Sequence, residues 1–247
     1  MGNVLSLDRQ EKYRRRYASM HPGWKPSSQV YEDTVAAHLN PEVRVLDLGC
    51  GRGGVLERLH ARAAFAAGID PDWLSLVEHR VPALPLTCGV ADALPYRNEC
   101  FDLVCCSWVL EHVSDPGLLF NEVRRVLAAG GRFVFLTPNA HHPLLRLNRA
   151  LGWTRGYFVR QLYGREETDT FPALYRVNAI SSIRQFAAAA GLEERMLEPV
   201  ADPTYLAFSD LLFRLATLLE RVTPVGLRIH LVGDFAVPQS PTSACRS

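Results

Sequence analysis

"VLDLGCGRGG", residues 45–54, decides how the rest of the chain is read. An apolar run carries Asp47, and glycines follow at positions 49, 51, 53 and 54. Glycine reaches backbone conformations closed to other residues and lets main chain approach a ligand closely. A strand running into such a turn is a place for a nucleotide. Two large enzyme classes use one, and these ten residues fit both.

Working outward, the pattern repeats. Runs at 43–48 (VRVLDL), 65–70 (FAAGID), within 84–96, at the start of 101–113 (FDLVCCSWVLEHV) and at 132–138 (RFVFLTP) predict five strands. The apolar opening of 101–113 suits a strand buried on both faces. Helices are expected between them, over "GGVLERLHARA", "DWLSLVEHRV" and "DPGLLFNEVRRVLAAGG". The last has Asp115 as N-cap, Pro116 in its first turn and glycines to close it. Strands alternating with helices at this spacing mean βαβ units and a parallel sheet. Ligands of such sheets bind at the carboxyl ends of the strands. Asp47, Asp70, Asp92, Ser107 and Thr137 all fall at or near those ends.

Beyond Asn139 the rhythm breaks. Residues 141–164 hold His141, His142 and four arginines but no acid, interleaved with Trp153, Tyr157, Phe158 and Tyr163. A helix is expected over 179–192, a strand over "EERMLEPV" and a strongly apolar helix in 204–222. In that helix Asp210, Arg214, Thr217 and Arg221 form a narrow polar stripe. A last strand is expected in "RIHLVGDFAV" and a disordered tail over 238–247. This divides the chain into a helical cap (1–39), a core (40–139), a lid insert (140–178), the rest of the same domain (179–237) and the tail.

Composition excludes several classes. The chain has 247 residues, 48% of them hydrophobic and 21% charged, enough for a sizeable core. A formal charge of +1 does not favour nucleic acid as the partner. The six cysteines (50, 88, 100, 105, 106, 245) show no CxxC pair and no metal-ligand spacing, so free thiols, a reducing cytoplasm and no metal are expected. No run approaches the length of a membrane span, and the N-terminus lacks the apolar core of a secretory signal. "MGNVLS" fits the loose N-myristoylation pattern, although one acyl chain anchors only marginally.

Gly49, Gly51 and Gly54 satisfy GxGxxG, and Asp70 follows Gly49 by 21 residues, as a dinucleotide fingerprint asks. Two features oppose an NAD(P)-dependent oxidoreductase, which stays as the alternative. Asp47 would repel a pyrophosphate and suits a positively charged cofactor instead. No second βαβ half follows to hold a second nucleotide.

Here a resemblance becomes specific. "VLDLGCGRG" resembles the first motif of class I S-adenosylmethionine-dependent methyltransferases, and "GID" with Pro71 and Asp72 resembles the second. "VADALPYRNECFDLVCCSWVLEHV" is similar to the third and fourth, and "EVRRVLAAGGRFVFLTPN" to the helix and strand that follow, so that the likeness covers about 40–139. It implies an α/β, Rossmann-like, mostly parallel seven-stranded sheet with helices on both faces and a lid insert after the fifth strand. It implies S-adenosyl-L-methionine as cofactor. The backbone of Gly49, Cys50 and Gly51 would pass under the methionine part, and Asp47 would face the sulfonium and amino end, directly or through water. Asp70, followed by Pro71, would bind the ribose hydroxyls. Asp92 and the backbone of Ala93 would receive adenine, and Ser107 and Trp108 would line the wall near the methyl group.

A base is needed only where the acceptor loses a proton. His112 is the candidate, the other reading being that Glu111 and His112 cap and orient their loop; His141 and His142 come next. Acceptor recognition is expected from Tyr13 and Tyr17 in the N-terminal segment and from His141, Trp153 and Arg176 in the insert. "TPN" and "LYRVN" resemble a subgroup acting on small-molecule, lipid-precursor and sugar acceptors. The basic block suits an anionic acceptor or a lipid head group, or is a solvated face balanced by Glu166, Glu167 and Asp169. A nucleic-acid methyltransferase is a further alternative, on the basic and aromatic mixture. Peripheral membrane contact through 141–164 or 205–221, and a monomer or homodimer, complete the expectations.

Overall fold

The computed structural model describes residues 7–150 and 171–239. Two helices, α1 (Leu7–Met20) and α2 (Ser27–His38), lead into β1 (Arg44–Leu48). Then follow α3 (Leu56–Leu59), β2 (Phe65–Asp70), α4 (Trp73–Val77), β3 (Leu86–Cys88) and β4 (Phe101–Ser107). Next come α5 (Pro116–Val126), β5 (Leu127–Pro138), α6 (Pro143–Ala150), α7 (Ile180–Ala189), β6 (Glu193–Val200), α8 (Asp210–Val222) and β7 (His230–Ala236).

The strands form one seven-stranded sheet in the order β3-β2-β1-β4-β5-β7-β6. β1 to β5 are mutually parallel, and β7 runs antiparallel to β5 and β6. The reversal matters for the site. It pairs His230, the first residue of β7, with Pro138, the last of β5. The start of β7 therefore joins the carboxyl edge of its parallel neighbours.

Side chains alternate across each strand, and the two faces bury separate cores. Leu46, Leu48, Val104, Cys106 and Phe133 pack with Leu119, Phe120 and Val123 of α5 and Ile183 of α7. Val45, Leu103, Cys105 and Val134 pack with Tyr31 and Val35 of α2 and Leu56 and Leu59 of α3. β4, in the middle, is apolar on both faces, as its sequence predicts. Asp47 shares the face of Val45 and so points toward α2 and α3.

Boundaries differ where glycines and caps intervene. The helix expected over 115–131 ends at Val126, and β5 starts at Leu127, five residues before the expected strand. Gly130, at φ +78°, sits inside that strand rather than closing the helix. Asp115 does cap α5, accepting from Leu118 N–H. In 204–222 a short 3-10 turn (Pro203–Leu206) comes first, and Ser209 then caps α8 by accepting from Leu212 N–H. The stripe expected there is not wholly exposed: Thr217 is buried and donates to Phe213 O, while Leu211, Leu215, Leu218 and Val222 face solvent. Of the expected lid, α6 and 171–178 are described; Trp153 and the rest of 151–170 lie outside the described residues, as do 1–6 and 240–247.

Candidate functional site

A cleft of ≈ 970 Å³ runs along the carboxyl edge of the sheet. Asp92 and Asp70 line one end, Gly49 and Trp108 its middle, and Tyr205 and His230 the other end.

The glycine turn is built by its own amides. Gly49 N–H (2.8 Å) and Cys50 N–H (3.2 Å) donate to Ile69 O, and Gly53 N–H donates to Cys50 O (2.9 Å). Gly51 N–H donates to Asp70 Oδ2 (2.8 Å). Gly49 has φ +76°, and a Cβ there would lie 2.2 Å from Val109 Cγ2, so only glycine fits. Cys50 turns its side chain away from the cleft onto Gly68, and burial pushes its thiol up. It is a filler, and of the expected backbone positions Gly49 lines the cleft while Cys50 and Gly51 lie outside the lining.

A pyrophosphate needs amides or cations aimed at it. Here four turn amides are spent internally, Arg52 is bonded to Glu78 at 2.5 Å, and the helix that follows is a single turn. The arrangement does not form an anion nest. It fits a cationic nucleoside better: Asp70 accepts from Gly51 N–H and from Asp72 N–H (2.9 Å), one bond per oxygen, which leaves lone pairs on both for a vicinal diol. Pro71 and Asp92 line the same end. Ala93 falls just outside the lining, and its N–H turns back to Val90 O (3.4 Å), so Asp92 stands there without the expected Ala93 amide.

Asp47 corrects an expectation. It does not line the cleft; it lies beneath the turn, where a Cβ on Gly54 would sit 2.5 Å from Asp47 Oδ2. The alternation of β1 puts it there. That oxygen is buried without a hydrogen-bond partner, and burial raises its pKa to about 7. Its influence on a bound cation is through the loop, not by contact.

Trp108 takes φ +59°, a strained conformation for a bulky residue. Its N–H reaches Leu136 O (2.9 Å), and its ring stands edge-on to His230 with centroids 5.0 Å apart. Ser107, still within β4, is not part of the wall. His112 does line the cleft; Nδ1 donates to Pro172 O (3.3 Å), and burial lowers its pKa. Beside it, buried Glu111 accepts from Thr137 Oγ1 (3.2 Å), and its carbonyl accepts from the amides of Leu174 and Tyr175. Both readings of this pair therefore have a structural counterpart.

Tyr13 and Tyr17 are placed elsewhere. Their rings pack with Phe213 and Trp24 in a small core under α8, and Tyr13 donates to Asp210 (2.9 Å). The other side of α1 faces the cleft, through Gln10 and Arg14. His141 is exposed and outside the lining, and His142 is buried, its pKa lowered to about 4 by desolvation. Arg176 donates to Ser114 O (2.5 Å) and holds the strap 171–177, while its neighbour Tyr175 lines the cleft.

Sequence reasoning missed Ser27, Tyr205 and His230, all in the lining. One signal was present: a polar residue opening the apolar strand "HLVGDFA". It becomes meaningful only once β7 is known to run antiparallel.

Residues 46–135 match the family described as "Methyltransferase domain". The mouse mitochondrial "Ubiquinone biosynthesis O-methyltransferase" is 32% identical over 60% of this chain and 37% of its own length. "Ubiquinone biosynthesis O-methyltransferase" of Alkalilimnicola ehrlichii is 36% identical over 39% of this chain and 42% of its own. The chain thus spans less than half the length of these two relatives. Among solved structures, geranyl diphosphate C-methyltransferase from Streptomyces coelicolor A3(2) superposes with a TM-score of 0.61 at 15% identity, over 85% of this chain and 77% of that one. Residues 46–135 thus match a methyltransferase-domain family, and the sheet order with its glycine turn belongs to the fold shared with geranyl diphosphate C-methyltransferase.

Proposed function

We propose that this chain is an S-adenosylmethionine-dependent methyltransferase that moves a methyl group to a small-molecule or lipid-like acceptor by in-line displacement. The observation that carries the reading is the coupling of Gly51 N–H to Asp70 Oδ2, in a turn where the amides of Gly49, Cys50 and Gly53 also donate within the fold. That turn recognises a nucleoside by its diol, not by phosphates.

The cofactor supplies an electrophilic methyl group on a sulfonium. The chain's work is to bind, to orient and to exclude water. Asp70 fixes the ribose and Asp92 the base, and Gly49 presents backbone without side-chain obstruction. Buried Asp47 places negative charge behind the turn when ionised. Trp108, in its strained backbone conformation, stands between this half of the cleft and the half lined by Tyr205 and His230. His112 lines the cleft with Nδ1 donating to Pro172 O and is a candidate base.

Relatives named for ubiquinone biosynthesis, demethylmenaquinone and malonyl-[acyl-carrier protein] support an acceptor that is small or lipid-like. No described helix is long and apolar enough to cross a membrane. In one of the two segments expected to touch one, α8 carries an outward leucine face with Arg214 and Arg221 beside it, which supports lipid contact. The unpaired thiols of Cys50, Cys105 and Cys106 fit a reducing compartment.

Calorimetry with S-adenosylhomocysteine and with NAD tests the reading. Uptake of the first and not the second is expected, and the reverse would sink it. A tritiated-methyl assay over metabolite fractions then identifies the acceptor.

A further inference from the structure

Read in strand order, the carboxyl edge runs from Asp92 after β3, through Asp70, Gly49 and Trp108, to Pro138 and His230 at β5 and β7. Under the methyltransferase reading the first three hold cofactor. An acceptor must lie beyond Trp108, against His230.

The His230 side chain is fully buried, with both ring nitrogens engaged. Nδ1 is 2.8 Å from Ser27 Oγ, and Nε2 is 2.8 Å from Tyr205 Oη. The three residues come from the start of α2, the 3-10 turn before α8 and the start of β7, 203 and 25 positions from the histidine in sequence, so no local turn forces the contact. Carbonyls would satisfy a merely structural histidine. Here both partners are hydroxyls, each able to donate and accept, so a proton can shift along the chain without stranding a polar group. All three residues line the cleft.

We propose that Ser27, His230 and Tyr205 form the acceptor-side proton relay of this cleft, which receives the proton a hydroxyl acceptor loses on methylation. The inference rests on the methyltransferase reading. As the acceptor oxygen bonds to the methyl carbon, its O–H bond breaks, and that proton passes to Tyr205 Oη. The tyrosine's own proton passes to His230 Nε2, while Nδ1–H donates to Ser27 Oγ. The electron pair of the donor's carbon–sulfur bond stays with sulfur, so charge balances: a sulfonium is lost and an imidazolium appears. Tyr205 is the catalytic residue, and His230 and Ser27 position and relay.

The groups facing the ring decide its protonation before the step. Burial lowers its pKa to about 4; Asp202 opposes this, and Arg14 from α1 and His142 beside α6 reinforce it. The base form is therefore present at neutral pH. A base this weak suffices, because the acceptor oxygen becomes strongly acidic as its new bond forms.

Nitrogen-15 NMR of histidine-labelled full chain tests the relay without any ligand, with His230→Asn providing the assignment. The expected spectrum has Nδ1 protonated, Nε2 bare and no titration between about pH 5.5 and 9, with the Nε2 resonance moving in Tyr205→Phe. The opposite tautomer, or a charged ring at neutral pH, overturns the proposal. In the labelled-methyl assay on a metabolite extract, Tyr205→Phe should lower kcat about 100-fold while KM for the cofactor and S-adenosylhomocysteine affinity stay within about twofold. The wild-type solvent deuterium effect should vanish with it. Should His230→Asn fail to fold, Tyr205→Phe carries the decision. Unchanged turnover in that variant, or label entering only nitrogen or carbon acceptors, overturns the relay. No transfer by wild type that still binds S-adenosylhomocysteine also overturns it, while the cofactor reading survives; loss of that binding removes both.

Discussion

Gly51 donates its amide to Asp70 Oδ2 at 2.8 Å, and the turn after β1 is thereby locked to the acid that ends β2. Turn and acid cannot move independently, so the nucleoside site is formed before any ligand arrives. Asp70→Asn keeps the shape but offers one acceptor oxygen where there were two, and an NH₂ group toward Gly51 or the ligand. Hydrogen bonds to a charged group contribute about 1.5–3 kcal/mol each, so affinity for S-adenosylhomocysteine should fall roughly 10- to 100-fold. Calorimetry measures it. A change under about threefold would remove Asp70 from ligand binding.

Asp47 makes stability fall as pH rises. Burial lifts its pKa from 3.8 to about 7 in the folded chain. Between those values the unfolded chain releases the proton and the folded chain keeps it, so the group's contribution is present at low pH and lost as pH climbs toward 7. Asp47→Asn should therefore melt near wild type at about pH 4 and several degrees higher at about pH 8. A constant difference across that range would contradict the assignment. A bound cation favours the ionised acid, so affinity for the sulfonium cofactor should also rise through neutral pH, and flatten in the variant.

Gly49 and Gly191 separate steric from conformational cost, because both have φ +76°. A Cβ at Gly49 meets Val109 Cγ2 at 2.2 Å, whereas one at Gly191 meets nothing within 4 Å. Gly191→Ala should cost only the left-handed strain, about 1–2 kcal/mol, and leave cofactor binding intact. Gly49→Ala adds an overlap that moves Val109 or the turn itself, so it should lose both stability and S-adenosylhomocysteine binding. Denaturant midpoints and calorimetry on the two variants settle the comparison; equal effects would mean the contact with Val109 is unimportant.

What the sequence makes legible follows from locality. The strand–helix rhythm of 43–138 and the cap at Asp115 depend on near neighbours, and they predict the sheet and its carboxyl edge. Asp70 comes with it, since a strand's last residue is at the edge whatever its partners. Asp92, expected near the end of the third strand, lies in the loop after β3 ends at Cys88 and still lines the cleft. Asp47 is different: its face is set by the two-residue alternation of β1, which buries it under Gly54. Tyr13 and Tyr17 are one helical turn apart, and spacing cannot tell which side of α1 meets the cleft and which meets Phe213. His230 depends on contacts 203 and 25 residues away and on the antiparallel sense of β7, none of which periodicity encodes.

The outward face of α8 gives the last prediction. Phe213, Ala216 and Thr217 are buried, while Leu215 and Leu218, on the opposite side, are 47% and 58% exposed. Arg214 and Arg221 are exposed too, and Arg16 and Lys12 from α1 act on Asp210 at the helix start. An apolar face with a cationic edge suits an anionic lipid surface. Leu215→Glu with Leu218→Glu removes no buried contact, so the melting temperature should stay within about two degrees of wild type. The same pair should abolish co-sedimentation with vesicles containing phosphatidylglycerol, and salt should weaken it in wild type. Wild type that ignores such vesicles but runs as a dimer, which the double substitution splits, would assign the face to a second copy of the chain instead.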